Sequence, residues 1–280
     1  MTARGVGWPY SPAVGEAFFW GAVGAGALVI GAAFALVVPI HRHVLGLVMA
    51  LGSGVLISAV AFDLVEEAVD TAHGVGGVAA GLAAGALTFY VGDAIIDRMG
   101  GDKRKSSDGE QAEGSGLAIV LGAVLDGIPE SIVLGIGLLA GTGVSVAFIV
   151  AVFVSNLPEG IAATTGLKAS GWAPGRVIGL WLLVALVSAL ASLAGWRKSR
   201  ILGLWVLVAL VSGLFSLLGF GVFDTAGPTE IAFVLSFAAG AILTMLADTM
   251  MPEAFEHGGK LVGVATTLGF GVAFGLHALG

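Results

Sequence analysis

Long apolar runs separated by short polar breaks dominate this chain. A helix needs about 20 largely apolar residues to span a bilayer. Nine stretches reach or approach that length: 16–40, 44–71, 75–97, 116–140, 143–168, 175–195, 200–221, 229–256 and 259–279. The first follows Glu16 rather than a basic segment, and its apolar part is too long for the core of a signal peptide, so it is expected to be retained as a span. The main polar interruption, residues 97–116, holds Lys103-Arg104-Lys105 and then Ser, Asp, Gly, Glu and Gln. Such a composition cannot bury a core, and residues 98–116 are expected to form a disordered cytoplasmic loop.

Composition narrows the class. The 280 residues are 57% hydrophobic and 11% charged, whereas a soluble domain carries about 25% charge. An all-α integral membrane protein follows, with residues 1–280 forming a single transmembrane domain. The 46 glycines suit a membrane bundle, in which small residues let helix backbones approach closely. The absence of cysteine excludes disulfides, thiolate metal sites and haem attachment. If spans alternate, Arg42, the basic residues of 98–105, Lys168 and Arg176 fall on one side. That side is expected to be cytoplasmic and the N-terminus outside.

Two repeats bear on topology. Residues 179–188, Gly-Leu-Trp-Leu-Leu-Val-Ala-Leu-Val-Ser, recur at 203–212 as Gly-Leu-Trp-Val-Leu-Val-Ala-Leu-Val-Ser, so 175–221 reads as a tandem-duplicated helix. If both copies crossed, Arg197, Lys198 and Arg200 would lie outside, against the positive-inside rule. Eight working spans are therefore expected, with one extra copy; nine remain the alternative. Separately, residues 54–68 match 240–254 without a gap, pairing Glu67 with Glu253 and Asp70 with Glu256. Two related outer halves around a central pair give an eight-helix bundle with an inverted 3+2+3 repeat. Transporters so built hold their substrate near the midplane, on interrupted helices where the repeats meet.

The central pair carries the chemistry. Asp126-Gly-Ile-Pro129-Glu130-Ser and Ser155-Asn-Leu-Pro158-Glu159-Gly each set a Pro-Glu pair inside an apolar run. Asp126 and Glu130 are four apart and share a helix face, as do Ser155 and Glu159. Each proline removes an N–H, freeing the carbonyl one turn back, at Leu125 and Val154. A carboxylate in hydrocarbon is a functional-site hypothesis by default. The bland reading is a proline kink with a glutamate bonded to a neighbour. Two matched copies, with Asp126 and Asn156 beside them, favour one shared oxygen-rich cation site. Oxygen ligands suit divalent ions; with no histidine on either helix, zinc, iron, manganese and cobalt all stay open.

These motifs resemble the ZIP metal transporters, prokaryotic branch, whose fourth helix carries His-Asn-x-Pro-Glu-Gly and whose fifth carries His or Gln, a polar residue, then x-Pro-Glu-Gly. The likeness extends to Glu67-Ala68, Pro252-Glu253-Ala254 and the basic loop before the fourth helix. It implies Glu130 and Glu159 as core metal ligands. Asp126 stands where the family has its first His, Gly127 where it has Asn, and Ser155 and Asn156 fill the polar positions of the fifth helix. Some members carry a bridging Glu on the sixth helix. Neither duplicated segment here has an acid, which favours one bound ion over two.

Asp63, Glu67, Asp248, Glu253 and His257 are the candidates for lining an entrance or exit, with Asp63 and Asp248 the deeper pair. The expected function is transport of a divalent transition metal, such as zinc, iron or manganese, toward the cytoplasm by a multi-pass protein of the cell membrane. No prosthetic group and no enzymatic role are expected. The expected partners are the metal ions and the lipid bilayer, with a homodimer allowed and no nucleic acid. A carrier of another cation is the alternative, and an intramembrane metal-dependent hydrolase a more distant one.

Overall fold

The computed structural model describes residues 12–72, 74–101, 116–140, 145–194 and 227–279. Among them every element is helical: α1 (Pro12–Val37), α2 (Arg42–Ala72), α3 (Val75–Gly101), α4 (Gly116–Ala140), α5 (Val146–Ala169), α6 (Pro174–Ala194), α7 (residues 228–258) and α8 (Val262–Leu279). Five described stretches are long and apolar enough to cross a membrane: Phe18–Val37, Arg42–Ala72, Val75–Gly101, Val146–Ala169 and Pro228–Leu279, the last covering α7 and α8. The second copy of the duplicated helix and residues 102–115 of the polar loop lie outside the described residues. The loop begins later than its charges imply, because α3 continues through a π-helical turn, Asp97–Gly101. Gly100 ends the regular path there with φ 88°, a left-handed conformation that glycine adopts without steric cost.

Helix starts follow local chemistry. Proline occupies the first turn of α6 and α7, where its missing N–H is no loss. Ser145 caps α5 by accepting the Phe148 amide, satisfying one of the orphan donors of the first turn. Gly259 turns the chain between α7 and α8 with φ 59°.

Contacts along the helices fix their directions. Asn156 reaches Gly24 and Lys168 reaches Leu36, so α5 and α1 run the same way. Gly52 meets Ser155 while Asp63 meets Ser145, so α2 opposes α5. Gly54 meets Thr266 and Phe62 meets Phe274, so α2 and α8 are parallel. Short turns reverse the chain between α2 and α3, α5 and α6, and α7 and α8. The end of α6 and the start of α7 therefore lie at the same end of the bundle. The five described Lys and Arg residues, Arg42, Arg98, Lys168, Arg176 and Lys260, lie at the other.

Packing recurs in matched pairs. A Cβ on Gly54 of α2 would overlap the Thr266 carbonyl of α8, and one on Gly269 would overlap Leu51. Likewise a Cβ on Gly240 of α7 would overlap the Leu82 carbonyl of α3, and one on Gly85 would overlap Phe237. Leu51 and Gly54 are the repeat equivalents of Phe237 and Gly240, so like positions make like backbone contacts. Helix α8 stands to α2 as α3 stands to α7. The irregularities match too: π-helical turns occupy Val60–Glu66 in α2 and Leu246–Met250 in α7, beginning at repeat-equivalent positions. Around the central pair, α1 packs on α5 as α6 packs on α4.

Candidate functional site

The two proline motifs lie midway along α4 and α5, with the helices unbroken through Pro129 and Pro158. Every predicted central residue is buried: Asp126 is 3% exposed, Glu130 2%, Ser155 1%, Asn156 5% and Glu159 4%. Their setting is apolar. Leu28 and Ala32 of α1, Ala123 of α4, Ala163 of α5, and Leu180 and Val184 of α6 pack as one cluster beside them. Close approach is built into the backbone, since a Cβ on Gly160, next to Glu159, would overlap the backbone of Leu28.

Part of the polar set is engaged within the protein. Asn156 donates from Nδ2 to the Gly24 carbonyl at 3.2 Å, tying α5 to α1. Ser155 donates to Val152 O at 3.0 Å. Ser131, adjacent to Glu130, donates to Gly127 O at 2.7 Å. Among the described residues, no three Asp, Glu or His side chains gather closely enough to hold a metal ion. Asp126, Glu130 and Glu159 are each buried without being gathered, among the described residues, into a metal-holding cluster.

The outer acidic positions separate by end. Asp63 and Glu67 lie toward the end of α2 where α5 begins and α8 finishes. Asp63 Oδ1 accepts from Ser145 Oγ at 2.9 Å and lies 3.3 Å from His277 Nδ1, and the His277 ring stacks on Phe62. Asp63 Oδ2 is buried with no hydrogen-bond partner among the described residues. Asp248, Glu253 and His257 lie toward the opposite end. His257 Nε2 and Glu253 Oε1 are 3.1 Å apart, and His43 at the start of α2 approaches the His257 carbonyl at 3.2 Å. Asp248 is exposed on the surface of α7 and interacts electrostatically with buried Asp93 of α3. Asp63 and Asp248 therefore lie toward opposite ends of the bundle.

Three residues here were not singled out by sequence reasoning. His277 was legible only by extending the repeat one helix further with a two-residue gap, the register in which Gly85 answers Gly269, which pairs it with Asp93. Ser145 carries the cap signature of a serine before an apolar run. Ser188 of α6, buried with its Oγ 2.8 Å from where a Cβ on Gly127 would sit, is one of two serines in an otherwise apolar helix run and was passed over for that reason.

No family model matches the chain. It is similar to a protein of Arabidopsis thaliana named "Putative zinc transporter", at 26% identity over 216 residues. That alignment covers 75% of this chain and 30% of the relative, so the chain spans under a third of that protein's length.

Proposed function

We propose that this protein carries divalent transition metal ions, such as zinc, iron or manganese, across the cell membrane toward the cytoplasm. One observation carries this reading above the others. Two matched Pro-Glu carboxylates, Glu130 and Glu159, are each buried midway along an apolar helix, with Asp126 one turn from Glu130. A charged side chain at the centre of a membrane span costs roughly 3 kcal/mol. A divalent cation shared among the three carboxylates offsets much of that cost, whereas a hydrophobic core has no use for them. Similarity to a protein named as a zinc transporter points the same way.

In this reading the chain has eight spans in an inverted 3+2+3 arrangement. The matched glycine contacts, the matched π turns and the common end shared by α6 and α7 support it. With the Lys and Arg end facing the cytoplasm, Asp63 and Glu67 line the outer approach and Asp248, Glu253 and His257 the inner one. Asp126, Glu130, Glu159, the Asn156 amide oxygen and the Ser155 hydroxyl form the ion site between them. Binding draws the carboxylates of α4 and α5 together. The hydrogen bonds missing at Pro129 and Pro158 make those turns the easiest to adjust. Transport then consists of exposing this level to each side in turn.

The test is uptake of zinc, iron, manganese and cobalt into proteoliposomes by the wild type and by Glu130→Ala with Glu159→Ala. Saturable uptake by the wild type that the double variant lacks supports the central site. Uptake that survives in the variant moves the pathway elsewhere. A correctly inserted wild type that moves none of the four ions overturns metal transport.

A further inference from the structure

Resting on the reading of the central level as a metal site, we propose that Gly127 of α4 and Ser188 of α6 form a matched pair that sets its ion preference, with Ser188 supplying a neutral hydroxyl ligand. Ser188 is 3% exposed, on a helix otherwise apolar from Val177 to Ala194 except for Ser192. A Cβ on Gly127 would come within 2.8 Å of Ser188 Oγ, so the hydroxyl occupies the space that any side chain at 127 would claim. Gly127 precedes Glu130 by three, which makes that carboxylate its neighbour on the helix surface, and Asp126 is the residue before it in the same turn. The backbone of this turn is held from the other side, because Ser131 Oγ donates to Gly127 O at 2.7 Å. Bare backbone at 127 thus lets a hydroxyl from the facing helix lie over the turn that carries Asp126 and Glu130. It adds an oxygen donor without adding a charge, in a site that has no histidine or thiolate. Such a shell favours hard ions over soft ones. The second copy of the duplicated helix keeps the serine, as Ser212.

The experiment is a cadmium titration of the purified full-length chain, as wild type and as Ser188→Cys, which holds the only thiol in an otherwise cysteine-free protein. The expected result is an ultraviolet cadmium–thiolate charge-transfer band in Ser188→Cys at stoichiometric cadmium. Cadmium also protects the introduced thiol from maleimide, and both signals vanish when Glu130 and Glu159 are changed to Ala. In uptake, Ser188→Ala raises KM about tenfold, the size of effect seen for supporting ligands, with a smaller change in kcat. Ser188→Cys shifts selectivity from manganese toward cadmium. A packing role alone would leave the band absent and the rank order of ions unchanged. If wild type binds cadmium through Glu130 and Glu159 while the thiol of Ser188→Cys gives neither band nor protection, the Ser188 assignment is overturned and the central site stands. If wild type binds neither cadmium nor manganese, the central-site reading falls and this assignment with it. Should Ser188→Cys not fold, Ser188→Ala decides: an unchanged KM and rank order overturn the proposal.

Discussion

Ser145 ties the start of α5 to α2, donating its hydroxyl to Asp63 Oδ1 at 2.9 Å while accepting the Phe148 amide at 3.1 Å. One side chain therefore closes a helix end and links the helix carrying Glu159 to the helix carrying Asp63. Losing an N-cap costs about 1 kcal/mol, and leaving a buried carboxylate oxygen short of a donor adds about 1–3 kcal/mol. Ser145→Ala is expected to lower the thermal midpoint of the detergent-solubilised protein clearly, and Ser145→Thr to keep most of it. Equal midpoints for wild type and Ser145→Ala would show that the contact contributes nothing.

The glycine contacts predict a symmetry of damage. Gly54 and Gly240 each meet a carbonyl of the partner helix where a methyl group would overlap it. Overpacking of this kind costs about 1–3 kcal/mol. Gly54→Ala and Gly240→Ala should each destabilise the bundle, by similar amounts because the contact is the same. At Gly26 and Gly271 nothing among the described residues lies within 4 Å of where the methyl group would sit, so both should accept Ala with little change. Thermal unfolding of the four variants in one detergent checks this, and a neutral Gly54→Ala would break the close-contact argument.

Between α5 and α6, Trp181 Nε1 donates to Thr164 Oγ1 at 2.8 Å, with both side chains fully buried. Trp181→Phe removes the donor and leaves the hydroxyl unsatisfied, at a cost of about 1–3 kcal/mol. Adding Thr164→Val removes the stranded group as well. The double variant should then recover part of the loss, giving a coupling energy that separate packing defects would not produce. Strict additivity in unfolding measurements would argue against the bond.

Much of this architecture was legible because span length and repeat spacing are coarse physical signals. Helix positions followed from apolar runs, and the match of residues 54–68 to 240–254 anticipated that Gly54 and Gly240 occupy like environments. The burial of Asp126, Glu130 and Glu159 followed from apolar flanks on both sides of each motif. What pattern could not supply was lateral contact. Nothing in sequence spacing puts Ser188 over Gly127, because that depends on which helix faces α4. The polar engagement of Asn156 with Gly24 is hidden for the same reason: an amide that reads as a free ligand is half committed to a neighbouring backbone.

Stability and function should oppose each other at the central carboxylates. Glu130 and Glu159 are buried in apolar surroundings, where a charge is costly without a counter-ion. Glu130→Gln and Glu159→Gln keep the shape and hydrogen-bonding capacity but remove the charge. In metal-free buffer each is expected to match or exceed the wild type in thermal midpoint. Zinc should reverse the order. An ion at 100 times its Kd stabilises the native state by about 2.7 kcal/mol, so the wild-type midpoint should climb with zinc while both variants stay flat. Midpoint against zinc concentration, for three proteins, separates the cases. A wild type insensitive to every divalent ion tried would remove the reason for keeping two carboxylates at this depth, and variants that still respond would place the ion somewhere else.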